Sequence, residues 1–356
     1  MTVNKPLEGK RILVTGGTGS LGKALVRRIL TGEMGNPENI TVFSRDEGKH
    51  YQMKTDWKNE KAATDDIFYH NFEHLLEFRV GDVRDYAALV PAVRNAEIIF
   101  HAAALKQVPS CEYFPHEAVK TNIEGSHNLV RAIRSHNNPV ETVIGISTDK
   151  ACKPVNVMGM TKSLQERILL EGNLGQDKVD FAAVRYGNVV SSRGSAMPHF
   201  REQIRAGGPV TITSKEMTRF FITMDQAVDT VFDCIMHARR GETLVPRLPA
   251  ALMTDVIKAM IGDNDIPVEE IGVRPGEKTH EIMVSEEEAL RTVECEGTYR
   301  ERYYAIRSII PEVSGGLPEK LAMEKEYSSR DSVIDFDGVV DLLQTAGYLQ
   351  RVGQVA

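Results

Sequence analysis

A carboxylic acid and two lysines lie close together in one short stretch near the middle of the chain. Asp149 and Lys150 are adjacent at the end of the apolar run ETVIGIS, and Lys162 follows twelve residues later in what the pattern predicts as the next helix. General acid and base catalysis needs such groups held within hydrogen-bond reach of a substrate. We therefore expect the chemistry of the protein to lie in this stretch, from Ser147 to Lys162.

The first strand and the first helix enclose a glycine-rich turn. RILVT, from Arg11 to Thr15, predicts a short apolar strand, and GGTGSLG then leads into the helical pattern KALVRRIL. Glycines at this spacing allow a tight turn and a close approach of backbone to a pyrophosphate at the helix N-terminus. The alternative is a turn with a structural role only. The residues predicted to bind a dinucleotide here are Gly16, Thr18, Gly19, Ser20, Leu21 and Gly22.

The end of the second strand, ITVF, carries a hydroxyl group and two cations. Ser44, Arg45 and Asp46 follow one another there, and Lys49 comes next. Enzymes that bind NAD usually place an acidic residue at this strand end, whereas a guanidinium offers paired donors to a 2′-phosphate. The pattern therefore favours NADP over NAD. The alternative is that Arg45 and Lys49 only solvate the start of a helix that Asp46 caps.

Two further strand ends add residues to the same predicted site. LEFRV leads to Asp82 and Val83, and Asp82 would either accept a hydrogen bond from an adenine amino group or cap a turn. EIIFHAAA leads to Lys106, for which contact with a ligand and simple exposure both stay open. Small residues at this strand end would let a flat cofactor lie against the backbone; these are Ala102, Ala103 and Ala104.

The alternation of strands and helices predicts a doubly wound parallel sheet, an α/β fold of the Rossmann type with a smaller C-terminal substrate-binding domain. We expect an NADP-binding domain over residues 1–185, to which some later segments return, a mainly substrate-binding domain over 186–310, and a tail over 311–356. Within these, the polar residues 57–75 predict a surface insertion, and residues 112–135 predict one helix. DGVVDLLQTAGYL in the tail predicts an amphipathic helix that packs on its own core or on a sister subunit.

Composition argues against several functional classes. The 43 Lys and Arg residues are outnumbered by 50 Asp and Glu residues in a chain of 356, so no broad basic surface for nucleic acid or an anionic membrane is expected. No apolar run reaches the roughly 18 residues of a membrane span, and the start shows no cleavable signal, which predicts a cytoplasmic protein. The four cysteines are widely spaced, and we expect free thiols and no metal site.

Any anionic ligand of a mildly acidic protein must meet cations that are placed locally. Arg219 in MTRFFIT and Arg274 in RPGEKTHE fit a pyrophosphate clamp, and Glu277 and Lys278 would complete that pocket. For either arginine the alternative is an ordinary surface position, and for Glu277 it is a carboxylate at a helix start.

Seven segments together resemble one enzyme superfamily, the extended short-chain dehydrogenases/reductases, over about residues 8 to 310. In chain order they are TGGTGSLG, SRDEGK, HAAALKQVP, STDKACKPVN, RYGNVVSSRGS, MTRFFIT and RPGEKTHE. Within the superfamily, the Thr-Asp-Lys triplet is similar to that of the inverting UDP-N-acetylglucosamine 4,6-dehydratase/5-epimerases of bacterial capsule, O-antigen and flagellin-sugar pathways. Other hexose 4,6-dehydratases carry Asp-Glu at this place, and simple 4-epimerases carry neither pair.

The resemblance implies a reaction on a UDP-sugar with no net oxidation. C4 of the sugar gives a hydride to NADP+, and the new ketone acidifies the proton on C5. Water then leaves from C5 and C6, the hydride returns to C6, and C5 is reprotonated from the opposite face. Such a reaction needs a group that takes the O4 proton, a base for the C5 proton and an acid for the leaving hydroxyl.

The resemblance also implies roles for three consecutive residues. Lys150 matches the C5 base, which requires a pKa lowered by burial or by a neighbouring positive charge such as that of Lys162. Asp149 matches the acid for the leaving hydroxyl, which requires a raised pKa. Thr148 would hydrogen-bond O4 or the C4 ketone. The alternative for the Asp149 and Lys150 pair is a surface salt bridge or a helix cap.

The segment after FAAVRY resembles the substrate loop of the family. Asn188 and Arg193 lie in it, and Asn188 is the residue that we expect to face the substrate. Arg185, Tyr186 and Asn188 would equally suit the packing and turn positions at a strand end.

Met158 departs from the pattern of the superfamily. Lys162 matches the lysine of a Tyr-x-x-x-Lys pair, where it binds the nicotinamide ribose and lowers the tyrosine pKa, but the tyrosine position holds Met158. A thioether cannot accept a proton, so the usual oxidising base is absent from that position. Three outcomes are open: Lys150, Asp149 or a water on Thr148 replaces it, the reaction stops short, or the protein only binds nucleotide. Some relatives of the inverting branch also carry methionine here, which favours the enzyme.

The sequence therefore favours a UDP-N-acetylglucosamine 4,6-dehydratase with C5 inversion. The near alternatives use another nucleotide or release a 5,6-unsaturated sugar nucleotide. A different class is an NADP-binding redox sensor without catalysis, but the retention of Asp149, Lys150, Lys162 and the arginines favours the enzyme. The resemblance also points to a homo-oligomer, either a dimer or a hexamer.

Overall fold

Strands and helices alternate through the first half of the chain, as its apolar runs predict. This computed structural model describes residues 5–59, 66–135, 137–190, 196–273, 275–316, 318 and 320–349. The strands of the first half are β1 (Arg11–Thr15), β2 (Asn39–Ser44), β3 (Leu76–Val80), β4 (Ile98–His101), β5 (Thr142–Ile146) and β6 (Asp180–Val184). The helices are α1 (Ser20–Leu30), α2 (Glu47–Asn59), α3 (Asp66–Leu75), α4 (Tyr86–Arg94), α5 (Val108–Tyr113), α6 (Pro115–Ala118), α7 (Gly125–Ser135) and α8 (Val157–Glu171).

The elements of the second half are shorter. The strands are β7 (Asn188–Val189), β8 (Val210–Ile212), β9 (Thr218–Ile222), β10 (Thr243–Pro246), β11 (Ala250–Leu252), β12 (Val268–Glu270), β13 (Ile282–Val284), β14 (Thr292–Glu296), β15 (Arg302–Ile306) and β16 (Tyr327–Ser328). The helices are α9 (Ala196–Arg205), α10 (Met224–His237), α11 (Met253–Ile261), α12 (Glu286–Ala289), α13 (Pro311–Ser314) and α14 (Phe336–Thr345). Two 3-10 turns, Asp149–Ala151 and Ser329–Ser332, and one π-helical turn, Val119–Glu124, complete the described set.

One large sheet organises the fold. Its strand order is β14-β15-β10-β6-β5-β4-β1-β2-β3. The seven strands from β10 to β3 in that order are parallel, whereas β15 runs antiparallel to β10, and β14 to β15. The chain order of the strands reverses between β1 and β4, and ligands of such sheets bind in the crevice at this point. The prediction of a doubly wound α/β fold is confirmed.

Apolar side chains cover both faces of this sheet. Ile12 and Val14 of β1 belong to one buried cluster, and Leu13 between them belongs to another. This division follows from the strand geometry, in which successive side chains point to opposite faces. Leu25 of α1 packs in the first cluster and Leu129 of α7 in the second, so helices lie on both faces. The carboxyl ends of the central strands are thereby held between two rigid layers.

The short strands of the second half form three small sheets, ordered β11-β9-β7, β12-β8 and β13-β16. Val339 and Leu343 of α14 are fully buried and share a cluster with Val256 and Ile257 of α11. The predicted amphipathic tail helix is therefore confirmed, and it packs on the core of its own chain. β10, β14 and β15 return to the large sheet, while the three domain boundaries stay a prediction.

The prediction of a surface insertion over residues 57–75 is wrong where that stretch is described. α2 continues to Asn59 and α3 occupies Asp66–Leu75. Trp57, Phe68 and Phe72 are buried, and the Trp57 ring lies edge-on to the two phenylalanine rings, with centroids 5.7 and 6.0 Å away. The prediction failed because these three aromatic residues stand among polar residues and show no helical periodicity in the sequence. Their burial depends on packing against the core.

The single helix predicted over residues 112–135 is divided. Phe114 has φ of −129° and ψ of 60°, outside the helical region, because the residue before a proline is disfavoured there and Pro115 follows. The π-helical turn then carries Asn122, which is fully buried. Its side chain accepts from Leu105 N at 2.7 Å and donates to Leu105 O at 3.0 Å. The break therefore helps to hold the loop that follows β4.

Candidate active site

A cavity of about 1060 Å³ opens at the carboxyl ends of β1, β2, β4 and β5. Every described residue that the sequence predicts for the site lines this cavity except Asp149, which has no exposed surface. Arg193 and Arg274 lie outside the described residues. The lining members of the prediction are Gly16, Thr18, Gly19, Ser20, Leu21, Gly22, Ser44, Arg45, Asp46, Lys49, Asp82, Val83, Ala102, Ala103, Ala104, Lys106, Thr148, Lys150, Met158, Lys162, Asn188, Arg219 and Glu277.

The turn after β1 has room only for glycine at two positions. Gly16 has φ of 68°, and a Cβ built there would lie 2.7 Å from the backbone nitrogen of Ala103. A Cβ on Gly22 would lie 2.6 Å from the carbonyl oxygen of Gly16. α1 begins at Ser20 with no acidic residue in its first turn, and Gly19 supplies no capping side chain. A helix N-terminus of this kind, approached closely by backbone, fits the negative charge of a dinucleotide pyrophosphate.

The end of β2 combines a capped helix start with a cation at the cavity. Asp46 Oδ1 accepts from Lys49 N at 3.0 Å, and its Oδ2 lies 3.0 Å from Lys49 Nζ. Ser44 Oγ lies 2.9 Å from Thr18 Oγ1 and so ties β2 to the glycine turn. The capping alternative therefore describes Asp46 in this structure. Arg45 is exposed and lines the cavity, and its pairing with a 2′-phosphate stays a prediction.

Asp82 has a structural role in the turn after β3. Its Oδ1 accepts from Arg84 N at 3.0 Å, and its Oδ2 accepts from Arg84 Nε at 2.9 Å and from Nη2 at 2.7 Å. A second ion pair, from Arg84 Nη1 to Glu117 Oε2 at 2.6 Å, holds the guanidinium in place. The capping alternative is thus present, and the contact between Asp82 and an adenine stays a prediction.

The 3-10 turn after β5 brings Thr148, Asp149 and Lys150 together. Thr148 Oγ1 donates to Asp149 Oδ1 at 2.9 Å. Lys150 Nζ lies 3.1 Å from Asp149 Oδ1, 3.1 Å from Asn188 Oδ1 and 3.2 Å from Glu281 Oε1. The ammonium is therefore enclosed by three oxygens, although 21% of the side chain is exposed toward the cavity that it lines. We call Asp149, Lys150 and Glu281 the acid-lysine cluster.

Burial and charge set the protonation of the acid-lysine cluster. Burial raises the pKa of Asp149, as expected. Burial lowers the pKa of Lys150, but the carboxylates of Asp149 and Glu281 outweigh it, and the pKa stands above its ordinary value. The expectation of a lowered Lys150 pKa is therefore wrong. The cations that act on Lys150 include Arg219 and Lys278, whereas Lys162 was the one expected.

Met158 and Lys162 lie one helical turn apart on α8 and both line the cavity. Met158 is buried and packs with Cys111. Lys162 Nζ donates to the carbonyl oxygen of Ile146 at 2.5 Å and also to Gln165 Oε1. Burial lowers the pKa of Lys162 to about 8. The cavity wall at this point therefore carries a thioether one helical turn from a buried lysine, and the substitution of Met158 for a tyrosine stays a prediction.

Glu281 is a site residue that the sequence reasoning missed. It is 2% exposed and lies directly before β13. Besides Lys150, its neighbours are Arg219 Nε at 3.8 Å and Lys278 Nζ at 4.0 Å. Burial raises its pKa, but the three cations outweigh burial and hold the pKa below its ordinary value. The available signal was a second carboxylate in RPGEKTHE, yet its partner Lys150 lies far away in the chain.

Arg219 is held by backbone oxygens. Its Nη1 donates to the carbonyl oxygens of Thr218 at 2.7 Å and Thr279 at 3.1 Å, and its Nη2 to that of Lys278 at 2.9 Å. Arg219 therefore fixes the segment that carries Glu281. Glu277 on the same segment accepts from Thr213 at 3.1 Å, and the predicted pyrophosphate clamp stays a prediction.

The residues that follow β6 have two different roles: one packs in the interior, and others line the cavity. The Arg185 guanidinium is buried and pairs with Glu166 at 2.7 Å and with Glu288 at 2.7 Å, so the packing alternative describes it. Tyr186 and Asn188 line the cavity. Asn188 reaches Lys150 and is thus tied to the acid-lysine cluster.

Most of the chain matches one known protein family. The model of the family described as polysaccharide biosynthesis protein matches residues 12–303. The chain belongs to this family. The match to the polysaccharide biosynthesis family spans the glycine turn, the acid-lysine cluster and β14, so it includes every described residue of the candidate site.

Several known proteins are similar to this chain over most of their own lengths. A protein of Rickettsia akari named UDP-glucose 4-epimerase is 36% identical over 354 residues, which cover 96% of this chain and 97% of that protein. A Methanocaldococcus jannaschii protein named uncharacterized membrane protein MJ1061 is 41% identical over 301 residues, covering 82% and 85%. The X-ray structure of Pen from Bacillus thuringiensis has a TM-score of 0.82 at 30% identity and covers 95% of this chain and 99% of Pen.

Two properties of the described residues concern membranes and metal ions: the length of the apolar helices and the grouping of possible metal ligands. No helix among them has the length and apolar character needed to cross a membrane. The same residues contain no group of three His, Cys, Asp or Glu side chains arranged to hold a metal ion. All four cysteines, Cys111, Cys152, Cys234 and Cys295, are free thiols, as predicted.

Proposed function

We propose that this protein is a UDP-N-acetylglucosamine 4,6-dehydratase that inverts C5. Its product would be UDP-2-acetamido-2,6-dideoxy-β-L-arabino-hexos-4-ulose, for bacterial surface polysaccharide biosynthesis. The observation that carries the proposal is the hydrogen bond of 3.1 Å between Lys150 Nζ and the buried Asp149 carboxylate at the wall of the cavity. Elimination of water needs a base and an acid that act on adjacent sugar carbons, and this pair supplies one of each.

One proton shared by Asp149 and Lys150 gives both catalytic groups. In the resting pair, Lys150 is an ammonium and Asp149 a carboxylate. Transfer of one proton from Nζ to Oδ1 leaves an amine that can take the C5 proton and a carboxylic acid that can protonate the hydroxyl leaving C6. Burial raises the pKa of Asp149 and so favours this transfer, whereas the nearby carboxylates raise the pKa of Lys150 and oppose it. After elimination the lysine is again charged and the aspartate again ionised.

The O4 proton needs an acceptor other than the side chain at position 158. Thr148 lines the cavity and donates to Asp149 at 2.9 Å, so its hydroxyl oxygen is positioned to bind O4 or a water molecule beside it. We propose that O4 loses its proton to Lys150 or through Thr148 and such a water. In the second case Lys150 stays available for C5, and water returns a proton to C5 from the opposite face.

The glycine turn and the end of β2 would hold NADP. When bound, the nicotinamide would take a hydride from C4 and return it to C6. The turn fits a pyrophosphate because Gly16 and Gly22 let the backbone segments of the turn approach one another more closely than a Cβ would allow, at the N-terminal end of α1. Lys162 would bind the nicotinamide ribose, and Arg45 would pair with the 2′-phosphate.

Replacing Arg45 with alanine is expected to weaken NADP+ binding about tenfold and to leave NAD+ binding nearly unchanged. A hydrogen bond to a charged group contributes about 1.5 to 3 kcal/mol, and NAD+ lacks the phosphate. Isothermal titration with each nucleotide measures both affinities. Lys54→Ala is the matched control, since Lys54 is exposed on α2 and does not line the cavity. Equal weakening of both nucleotides in Arg45→Ala would show that the guanidinium does not read the 2′-phosphate.

Incubation with UDP-N-acetylglucosamine and NADP+ in D2O, followed by NMR, tests the reaction. The expected product is the 4-keto-6-deoxy sugar of the L-arabino configuration with deuterium at C5 and the former C4 hydrogen at C6. A 5,6-unsaturated product would mean that the reaction stops after elimination, and unchanged substrate with bound nucleotide would support a sensor. The 36% identity to the Rickettsia akari protein favours UDP-glucose 4-epimerase as the second candidate, which would change C4 without deuterium at C5.

The assembly and the location of the protein are proposals as well. We infer a homo-oligomer, a dimer or a hexamer, from the resemblance to the extended short-chain dehydrogenases/reductases. We also infer a cytoplasmic protein, because the substrate class is a soluble nucleotide and the mildly acidic composition offers no broad charge for a membrane surface. Light scattering on the eluate of a sizing column measures the mass in solution, and cell fractionation measures the location.

A further inference from the structure

Glu281 joins the acid-lysine cluster from a distant part of the chain. It comes from the segment before β13, whereas Asp149 and Lys150 follow β5. Two hydrogen bonds hold the backbone of Glu281 in place: Glu281 N donates to Ser329 Oγ at 2.9 Å, and Ser329 N donates to Glu281 O at 2.8 Å. The carboxylate is thus fixed with Oε1 3.2 Å from Lys150 Nζ.

This inference rests on the proposed function. We propose that Glu281 is a positioning residue that holds the Lys150 ammonium against Asp149 and keeps one proton on that pair. Without a second carboxylate, the flexible lysine would be drawn toward Asp149 and Asn188 only. With it, Nζ sits between oxygens from two separate parts of the chain, at 3.1 Å on one side and 3.2 Å on the other. The amine that forms when the proton moves to Asp149 is thereby already in place.

The charges around the pair define how Glu281 acts on it. Lys150 faces Asp149, Glu281 and Arg219, and Glu281 faces Lys150, Arg219 and Lys278. The negative charge of Glu281 raises the pKa of both Asp149 and Lys150. The second oxygens of the two carboxylates, Asp149 Oδ2 and Glu281 Oε2, are buried without a hydrogen-bond partner. Both acids are therefore poorly solvated, and a change in charge at one is felt strongly by the other.

A purely structural ion pair and a positioning residue predict different pH dependences. The active pair carries one proton, so turnover falls at low pH when Asp149 is also protonated and at high pH when Lys150 also loses its proton. Because Glu281 raises both pKa values, its removal must lower both. Both limbs of the pH profile should then move to lower pH together. A structural ion pair would change stability and leave the limbs where they are.

The test is the pH profile of kcat for Glu281→Gln, Glu281→Asp and the wild type. We expect both limbs of Glu281→Gln to move down by about one unit, as a charge within about 4 Å commonly causes, with a lower maximum and a KM close to the wild type. Glu281→Asp keeps the negative charge, so both limbs of its pH profile should lie close to those of the wild type. Glu286→Gln is the control, because Glu286 is 59% exposed on α12 and pairs with Lys153 outside the cavity.

A second readout does not depend on turnover. NMR of protein labelled at the lysine ε-carbons, with Lys150 assigned from the Lys150→Met spectrum, follows the titration of Lys150 without substrate. A lower midpoint in Glu281→Gln supports the proposal, and an unchanged midpoint overturns it even if the enzyme turns over another substrate. If Glu281→Gln does not fold, Glu281→Asp is titrated in its place. Its carboxylate keeps the charge but lies farther from Nζ, so the Lys150 midpoint should fall by only a fraction of a unit, and a midpoint equal to that of the wild type overturns the proposal. If the wild-type protein shows no turnover of UDP-N-acetylglucosamine, the proposed function is contradicted, but the effect of Glu281 on the titration of Lys150 can still be measured.

Discussion

Replacing Lys150 with methionine is expected to lower the turnover of UDP-N-acetylglucosamine by about 10²- to 10⁴-fold, the range that a positioned acid or base contributes. Methionine has a similar length but no proton acceptor. The variant should fold, because Asp149 can take up a proton once its partner is gone, as its raised pKa already favours. The rate of product formation by NMR measures the effect.

The same variant separates the two routes for the O4 proton. A single turnover with stoichiometric NADP+ shows whether the sugar is oxidised, through the absorbance of the reduced nicotinamide. Formation of NADPH without loss of water would mean that Thr148 and a water take the O4 proton, and absence of both would mean that Lys150 takes it. Normal formation of the 4-keto-6-deoxy product would remove Lys150 from the mechanism.

Lys153 provides the matched control for this experiment. It lies three residues away in the same loop, but its ammonium pairs with Glu286 and with Glu326, and it does not line the cavity. Lys153→Met should therefore leave turnover within the variation between preparations. Equal losses in both variants would indicate that the loop, rather than the amine of Lys150, had been damaged.

The parts that could be predicted from the sequence are those that depend on neighbouring residues. β1, the glycine turn and α1 follow from a local run of apolar residues, three glycines and a helical period, and the structure has them at these positions. The end of β2 at Ser44 and the end of β5 just before Ser147 and Thr148 follow in the same way. Because parallel strands share one carboxyl edge, residues predicted separately at these ends come together in one cavity.

The parts that escaped prediction depend on contacts between distant segments. The raised pKa of Lys150 comes from its neighbour Asp149 and also from Glu281, which lies directly before a strand of a small sheet in the second half of the chain. The sequence also did not show that Arg219 donates to two carbonyl oxygens of a loop about sixty residues later, while its contact with a pyrophosphate stays a prediction. A single sequence gives the types of these residues and not their pairing. The family resemblance was sufficient to identify Asp149 and Lys150 as candidate catalytic residues. It could not predict their pKa values, because these depend on the charges that the fold places around them.

Replacing Gly16 with alanine is expected to lower the affinity for NADP+ by about 100-fold or more and to lower the free energy of unfolding by about 3 kcal/mol. Two causes add at this position. The residue has φ of 68°, a conformation that costs a side chain roughly 1 to 2 kcal/mol. In addition, the new Cβ would lie 2.7 Å from Ala103 N and 2.8 Å from Ala103 Cα, so backbone on the wall of the dinucleotide turn would have to shift.

Gly9 separates these two causes, because it has nearly the same backbone conformation without the contact. Its φ is 66°, and a Cβ built there meets nothing within 4 Å. Gly9→Ala should therefore lose only about 1 to 2 kcal/mol in urea unfolding and keep its affinity for NADP+ in isothermal titration. If Gly16→Ala bound NADP+ as tightly as Gly9→Ala, the close approach of Ala103 would have no part in forming the site, and the dinucleotide would have to bind elsewhere in the cavity.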